Sequence, residues 1–99
     1  MFANLIDSAR KGVIPSLQQS LASNADLINE CDPKTKQTAL HAAAQSQQPA
    51  SVSFLLEREA DVDAEDANGN TPLHLAAASG CKECIILLLD KSDQDAEVN

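Results

Sequence analysis

Two copies of one short phrase, Thr38-Ala39-Leu40-His41 and Thr71-Pro72-Leu73-His74, stand 33 residues apart. This internal period constrains the fold more than any other feature of the chain. Alanine runs follow each copy, Ala42-Ala43-Ala44 and Ala76-Ala77-Ala78, and then a leucine-rich stretch. Self-similarity at a fixed spacing of this size marks stacked units, none of which buries its apolar face alone. The 99 residues amount to one domain, with two Phe and no Tyr or Trp. Apolar side chains that are mostly Ala and Leu suit thin, closely packed helices and disfavour a β-sandwich or barrel.

The last unit is the clearest. Ala60-Asp61-Val62-Asp63-Ala64 leads into Asp66-Ala67-Asn68-Gly69-Asn70, where Asn-Gly predicts a tight turn because both residues tolerate positive φ. Thr71 is suited to N-cap a helix and Pro72 to its first turn, where no backbone N–H is needed. That helix is predicted to reach Ser79 and to stop at Gly80. A second helix, over residues 82–89, shows Ile85, Leu88 and Leu89 on one face. The middle unit follows the same plan with Thr38 as cap, Gln47-Gln48-Pro49 as its inter-helix turn, and Val52, Leu55 and Leu56 on the second helix. Its loop, Cys31-Asp32-Pro33-Lys34-Thr35-Lys36-Gln37, lacks the glycine and is one residue longer. Towards the N-terminus, Leu5, Ile6 and Ala9 form one helical face that Arg10-Lys11-Gly12 closes. A second helix there is predicted to start near Pro15 and to carry Leu17 and Leu21.

The Thr-Pro-Leu-His phrase, its spacing and the Asn-Gly turn resemble the ankyrin-repeat family, over residues 5–99. The resemblance implies an all-α solenoid of stacked helix-turn-helix units with β-hairpin loops. On this pattern residues 1–29 are an N-terminal capping repeat, 30–63 a second repeat, and 64–99 a third repeat with the start of the next junction. Asn24-Ala25-Asp26-Leu27-Ile28-Asn29 and Asp95-Ala96-Glu97-Val98-Asn99 resemble the family's junctions between repeats. The outward side of the last helix is expected to be uncovered. About three units is the minimum for a stable stack, so stability is expected to be marginal.

The same resemblance implies a protein partner bound at hairpin tips and at the exposed side of the first helices. Those positions are Arg10 and Lys11 in the first unit, and Lys34, Lys36, Gln45 and Ser46 in the second. In the third they are Glu65, Ala67, Asn68, Asn70, Ala78 and Ser79. Thr38, His41, Gly69, Thr71, Pro72 and His74 are the expected structural motif. Ser46-Gln47-Gln48-Pro49, Gly69-Asn70-Thr71-Pro72-Leu73-His74-Leu75-Ala76, Gly80-Cys81 and the acidic Asp90-Lys91-Ser92-Asp93-Gln94-Asp95 are also similar to inner repeats of the inhibitor-of-NF-kappaB group. That narrower likeness implies a Rel-type transcription factor as partner.

Formal net charge is −8, unevenly placed: residues 61–99 hold two Lys against nine Asp and Glu. Such a chain repels nucleic-acid phosphate and anionic lipid, so a basic protein is the expected partner and neither nucleic acid nor membrane is. The longest apolar run, Cys84-Ile85-Ile86-Leu87-Leu88-Leu89, is far too short to span a bilayer. No secretory signal is visible, and three cysteines read as reduced thiols of a cytoplasmic or nuclear protein.

No catalytic residue, metal or cofactor is expected. His41 and His74 repeat at one phase, and adjacent repeats stack at roughly 10 Å. A shared zinc needs nitrogens at about 2 Å from the metal. Cys81-Lys82-Glu83-Cys84 is a C-x-x-C, but no βαβ context accompanies it and Cys84 falls at a core position. Asp61, Asp63, Glu65 and Asp66 lack the offsets and final bidentate Glu of a calcium loop. The expected function is a non-enzymatic interaction module. Self-association through the uncapped C-terminal repeat is the alternative.

The turn placement is directly testable. Gly69→Val is expected to lower the thermal midpoint, because a β-branched residue resists a left-handed turn position, while Lys34→Ala leaves it unchanged. An unaltered midpoint for Gly69→Val would place the turn elsewhere.

Overall fold

The structure, a computed structural model, describes residues 5–23 and 28–97. Parts of the two junction motifs, residues 24–27 and 98–99, lie outside the described residues. Six helices follow one another: α1 (Leu5–Lys11), α2 (Ile14–Ser23), α3 (Ala39–Gln45), α4 (Pro49–Glu57), α5 (Pro72–Ser79) and α6 (Lys82–Glu97). They form three antiparallel pairs. The first helices stack α1 on α3 on α5, and the second helices stack α2 on α4 on α6. The chain is therefore a two-layer stack, with the loops before α3 and α5 emerging beside each other.

Small residues set the layer spacing. Ala39, Leu40, Ala43 and Ala44 of α3 are completely buried between α1 and α5. Behind them Leu17, Val52, Leu55 and Leu88 fill the space between layers without exposed surface. Alanine permits close helix approach, and leucine supplies most of the apolar area removed from water. Among the described residues there is no strand, only an isolated antiparallel bridge between Cys31 and Thr38. The loops are instead built on aspartate side chains, described below.

Two local expectations need amendment, and the middle loop shows how its extra residue is housed. The Asn68-Gly69 turn uses one left-handed residue: Gly69 sits at φ +80°, whereas Asn68 does not have positive φ. The Gly69 N–H donates to the Asp66 carbonyl (3.0 Å) and the Asp66 N–H to the Asn70 carbonyl (2.9 Å), giving a three-residue loop. In the middle loop the extra residue is taken up by a wider turn, with the Lys36 N–H on the Asp32 carbonyl at 2.7 Å. Lys36 occupies the left-handed position at φ +60°, where glycine is missing, and a side chain there costs roughly 1–2 kcal/mol. Finally, the last helix does not stop at Leu89. It runs on through residues 90–97, previously read as a junction, because that segment contains neither Gly nor Pro to break it.

Ser51 is an oddity in this core. Its hydroxyl is fully buried in α4 and makes no hydrogen bond. Burying an unpaired hydroxyl is unfavourable, and alanine is the better helix former. Ser51→Ala is expected to stabilise the chain by about 1 kcal/mol, read as a rise in the denaturation midpoint. A loss of stability would mean that the hydroxyl has a partner.

Candidate interaction surface

Each Thr-x-x-His phrase closes a reciprocal cap. Thr38 Oγ1 accepts the His41 N–H (3.4 Å), and His41 Nδ1 accepts the Thr38 N–H (3.1 Å). A histidine thus takes the role that Glu or Gln plays in the usual capping box. Because Nδ1 accepts a backbone N–H, the ring proton resides on Nε2. That nitrogen donates to the Asn70 carbonyl at 2.8 Å, across the boundary to the next repeat. Both ring nitrogens of His41 are committed, and the ring is completely buried. His74 closes the same cap on Thr71 (3.0 and 3.4 Å) but is exposed.

The turn between α3 and α4 ties all three units together. Gln48 Nε2 donates back to the Arg10 carbonyl (3.2 Å), and Gln47 Nε2 donates forward to the Ser79 carbonyl (2.7 Å). Ser79 Oγ returns a bond to the Ala44 carbonyl (3.1 Å). Gln47 adopts φ +58° to do so. Gly12 sits opposite Gln48 at φ +74°, a left-handed position that favours glycine, and a Cβ there would displace the Gln48 amide. In sequence these glutamines read as an inter-helix turn and as part of the likeness to the inhibitor-of-NF-kappaB group. Their value lies in partners more than 30 residues away, which no local pattern displays.

The two loops are joined edge to edge, with the Ala67 N–H on the Thr35 carbonyl at 2.8 Å. Each is held from within by an aspartate. Asp32 Oδ1 accepts the N–H groups of Lys34 (2.7 Å) and Thr35 (3.3 Å). Asp66 Oδ1 accepts those of Asn68 and Asn70, both at 2.9 Å. These backbone bonds hold both carboxyls below their ordinary range. The two aspartates are absent from the sequence-derived partner surface, and they shape the tips without presenting themselves at them.

Lys34, Lys36, Glu65, Ala67 and Asn68 are exposed along this row of tips. The middle tip is cationic and the last one anionic. Asn70 is half-buried, with its backbone carbonyl on His41 and its backbone N–H on Asp66. At the opposite ends of the first helices, Arg10, Lys11, Gln45 and Ala78 are exposed, and Ser46 and Ser79 are half-buried. Arg10 and Lys11 pair with Asp7 (3.5 and 3.4 Å), and Gln45 accepts from Gln37 (3.3 Å). Ser79 serves the repeat junction. Of the predicted positions, Ser79 spends its hydroxyl on the repeat junction, and Asn70 contributes its backbone there.

On the last unit the outward side lies open, with Ile86 65% and Leu89 45% exposed. Cys84 is fully buried, and burial together with the adjacent Cys81 thiol pushes its thiol up to about 12. No helix among the described residues is long and apolar enough to cross a membrane.

Helix pairs stacked through Thr-x-x-His caps, with turn loops projecting from one edge, define a repeat solenoid used for protein interaction. The family model for ankyrin repeats matches residues 5–99 in three copies, and the chain belongs to that family. It is 36% identical over 86 residues, 87% of its length, to the Probable E3 ubiquitin-protein ligase XBOS31 of Oryza sativa subsp. japonica. It is 48% identical over 46 residues, 46% of its length, to NF-kappa-B inhibitor alpha of Sus scrofa. With the NF-kappa-B p105 subunit of Gallus gallus it shares 40% identity over 65 residues, 65% of its length. The matches span 19%, 15% and 6% of those proteins, so the chain corresponds to a small part of each.

Two measurements test this site. His41→Ala is expected to cost about 3 kcal/mol of stability and His74→Ala about 1 kcal/mol, since only His41 loses a buried bond between repeats. Equal losses in chemical denaturation would remove the junction role. The aspartates give a pH signature. Their folded pKa lies below the unfolded one, so their stabilisation is complete above the ordinary carboxylate range and is lost as pH falls through it. Asp66→Asn is expected to shrink the drop in thermal midpoint between about pH 5 and pH 3. An unchanged drop would show that Asp66 does not carry it.

Proposed function

We propose that the chain is a non-enzymatic module that binds a basic protein partner along the loop tips and the exposed ends of α1, α3 and α5. The observation that carries this is the pinned row of tips. Thr35 and Ala67 join the loops, Asp32 and Asp66 stiffen them, and Lys34, Lys36, Glu65 and Asn68 are left facing solvent. A surface ordered before contact spends little conformational entropy on binding. Opposite charge on neighbouring tips favours a partner with an acidic and a basic group at matching spacing. The excess of acid over residues 61–99 speeds encounter with a basic protein, an effect that weakens with salt. A reduced, cytoplasmic or nuclear setting suits the three free thiols.

A second reading is favoured by the matches to NF-kappa-B inhibitor alpha and p105. In it the partner is a Rel-type transcription factor, and the module regulates that factor. Self-association through Ile86 and Leu89 is the rival.

Affinity capture with three versions of the chain separates these readings: wild type, Lys34→Ala/Lys36→Gly, and Ile86→Ser/Leu89→Ser. The glycine relieves the left-handed strain at position 36 while removing its charge. Loss of the captured protein with the loop variant alone, at unchanged or raised thermal midpoint, supports the loop surface. Loss with the Ile86/Leu89 variant alone points to the open face, and a concentration-dependent mass in light scattering identifies that as self-association. Binding of a purified Rel-homology region, weakened by salt and by the loop variant, is expected on the second reading.

A further inference from the structure

Outside the interaction surface, the chain carries one pair of nucleophilic side chains in mutual contact. Cys81 is the residue immediately before α6, and its carbonyl accepts the Ile85 N–H (3.0 Å) to open that helix. Its sulfur accepts the Cys84 N–H at 3.4 Å, which sets the two cysteines side by side at the start of the helix. They are free in this structure. The pair is asymmetric. Cys84 is completely buried, whereas Cys81 retains 7% exposure at the surface end of the helix. Its neighbours Gly80, Lys82 and Glu83 are exposed, and nothing lies within 4 Å of where a Gly80 side chain would begin. Of the two, only Cys81 keeps any contact with solvent, so an oxidant meets it before Cys84.

We propose that Cys81 and Cys84 form a reversible dithiol–disulfide couple, oxidised by small disulfides of the glutathione type. Cys81 reacts first, as thiolate. It attacks one sulfur of the oxidant, forms a mixed disulfide, and expels one small thiolate, which takes up the proton that Cys81 gave to solvent. Cys84 then gives up its proton and attacks the Cys81 sulfur, expelling the second small thiolate, which is protonated in turn. Two protein thiols are oxidised by two electrons, and one oxidant disulfide becomes two thiols. Complete burial keeps bulk oxidant from Cys84, so it acts as the resolving sulfur. The couple sits at the joint of the last repeat, since the Cys81 N–H also bonds the Ala76 carbonyl at 3.1 Å.

The test uses Cys31→Ser, which removes the exposed third thiol, and Cys31→Ser/Cys84→Ala. Each folded chain, with helical content checked by circular dichroism, is incubated with oxidised glutathione, quenched with acid and weighed. Cys31→Ser is expected to lose both alkylatable thiols and the mass of two hydrogens, reversibly with a reductant. Cys31→Ser/Cys84→Ala is expected to stop at one glutathione adduct, on Cys81. Retention of both thiols by Cys31→Ser, under conditions that fully glutathionylate Cys31 of the wild-type chain, would overturn the proposal. So would a stable adduct on Cys81 of Cys31→Ser with no internal disulfide.

Discussion

The imidazole of His41 joins two levels of organisation. On one side it accepts the N–H of its own N-cap and so defines where α3 begins. On the other it donates to the Asn70 carbonyl, which belongs to the next repeat. A buried neutral ring that is satisfied at both nitrogens fixes its tautomer, its orientation and the spacing between repeats together. Without it, the Thr38 N–H and the Asn70 carbonyl would each lose a partner, and only the Thr38 hydroxyl half of the cap would remain. The alanines of α3 complement this bond, because only small side chains let α5 approach closely enough for a 2.8 Å contact.

From that junction outward, polar side chains hold the stack at its margins. Gln47 and Gln48 reach in opposite directions to backbone carbonyls of the flanking units. Asn29 Oδ1 adds a bond to the Asp61 N–H at 2.8 Å. All these ties have a backbone group as one partner. Backbone positions repeat from unit to unit whatever the side chains are, so such ties tolerate the irregular turn of the middle repeat. The left-handed Lys36 is held by its N–H on the Asp32 carbonyl, and Gln47 by its bond to the Ser79 carbonyl of the next unit.

The interaction surface follows from the same bonds. Loop tips that were merely hydrophilic would be mobile. Here each is shaped by an aspartate accepting two N–H groups, and the two are joined through Thr35 and Ala67. Preorganisation is a property of that network, and the charges at the tips are its readout. The open Ile86 and Leu89 side, by contrast, is what remains at the end of any stack whose last described unit has no neighbour.

The sequence by itself determined the repeat class, the helix starts at Thr38 and Thr71, the left-handed Gly69 and the burial of Leu17, Val52, Leu55, Leu88 and Cys84. Each of these depends on neighbours within a turn or two, where spacing and side-chain type suffice. The exposed tip residues were legible for the same reason. Only the tertiary structure decided which polar residues were spent on stacking. Ser79 looks like a helix-end residue in the sequence, yet its hydroxyl bonds across the repeat boundary. Gln47 and Gln48 look like flaws, yet they tie the units together. Hydrogen bonds between residues more than 25 positions apart depend on how the helix pairs stack, and no local periodicity encodes that. The continuation of α6 beyond Leu89 was only permitted by the sequence: the acidic segment has neither Gly nor Pro and suits a junction or a helix, and the structure shows the helix.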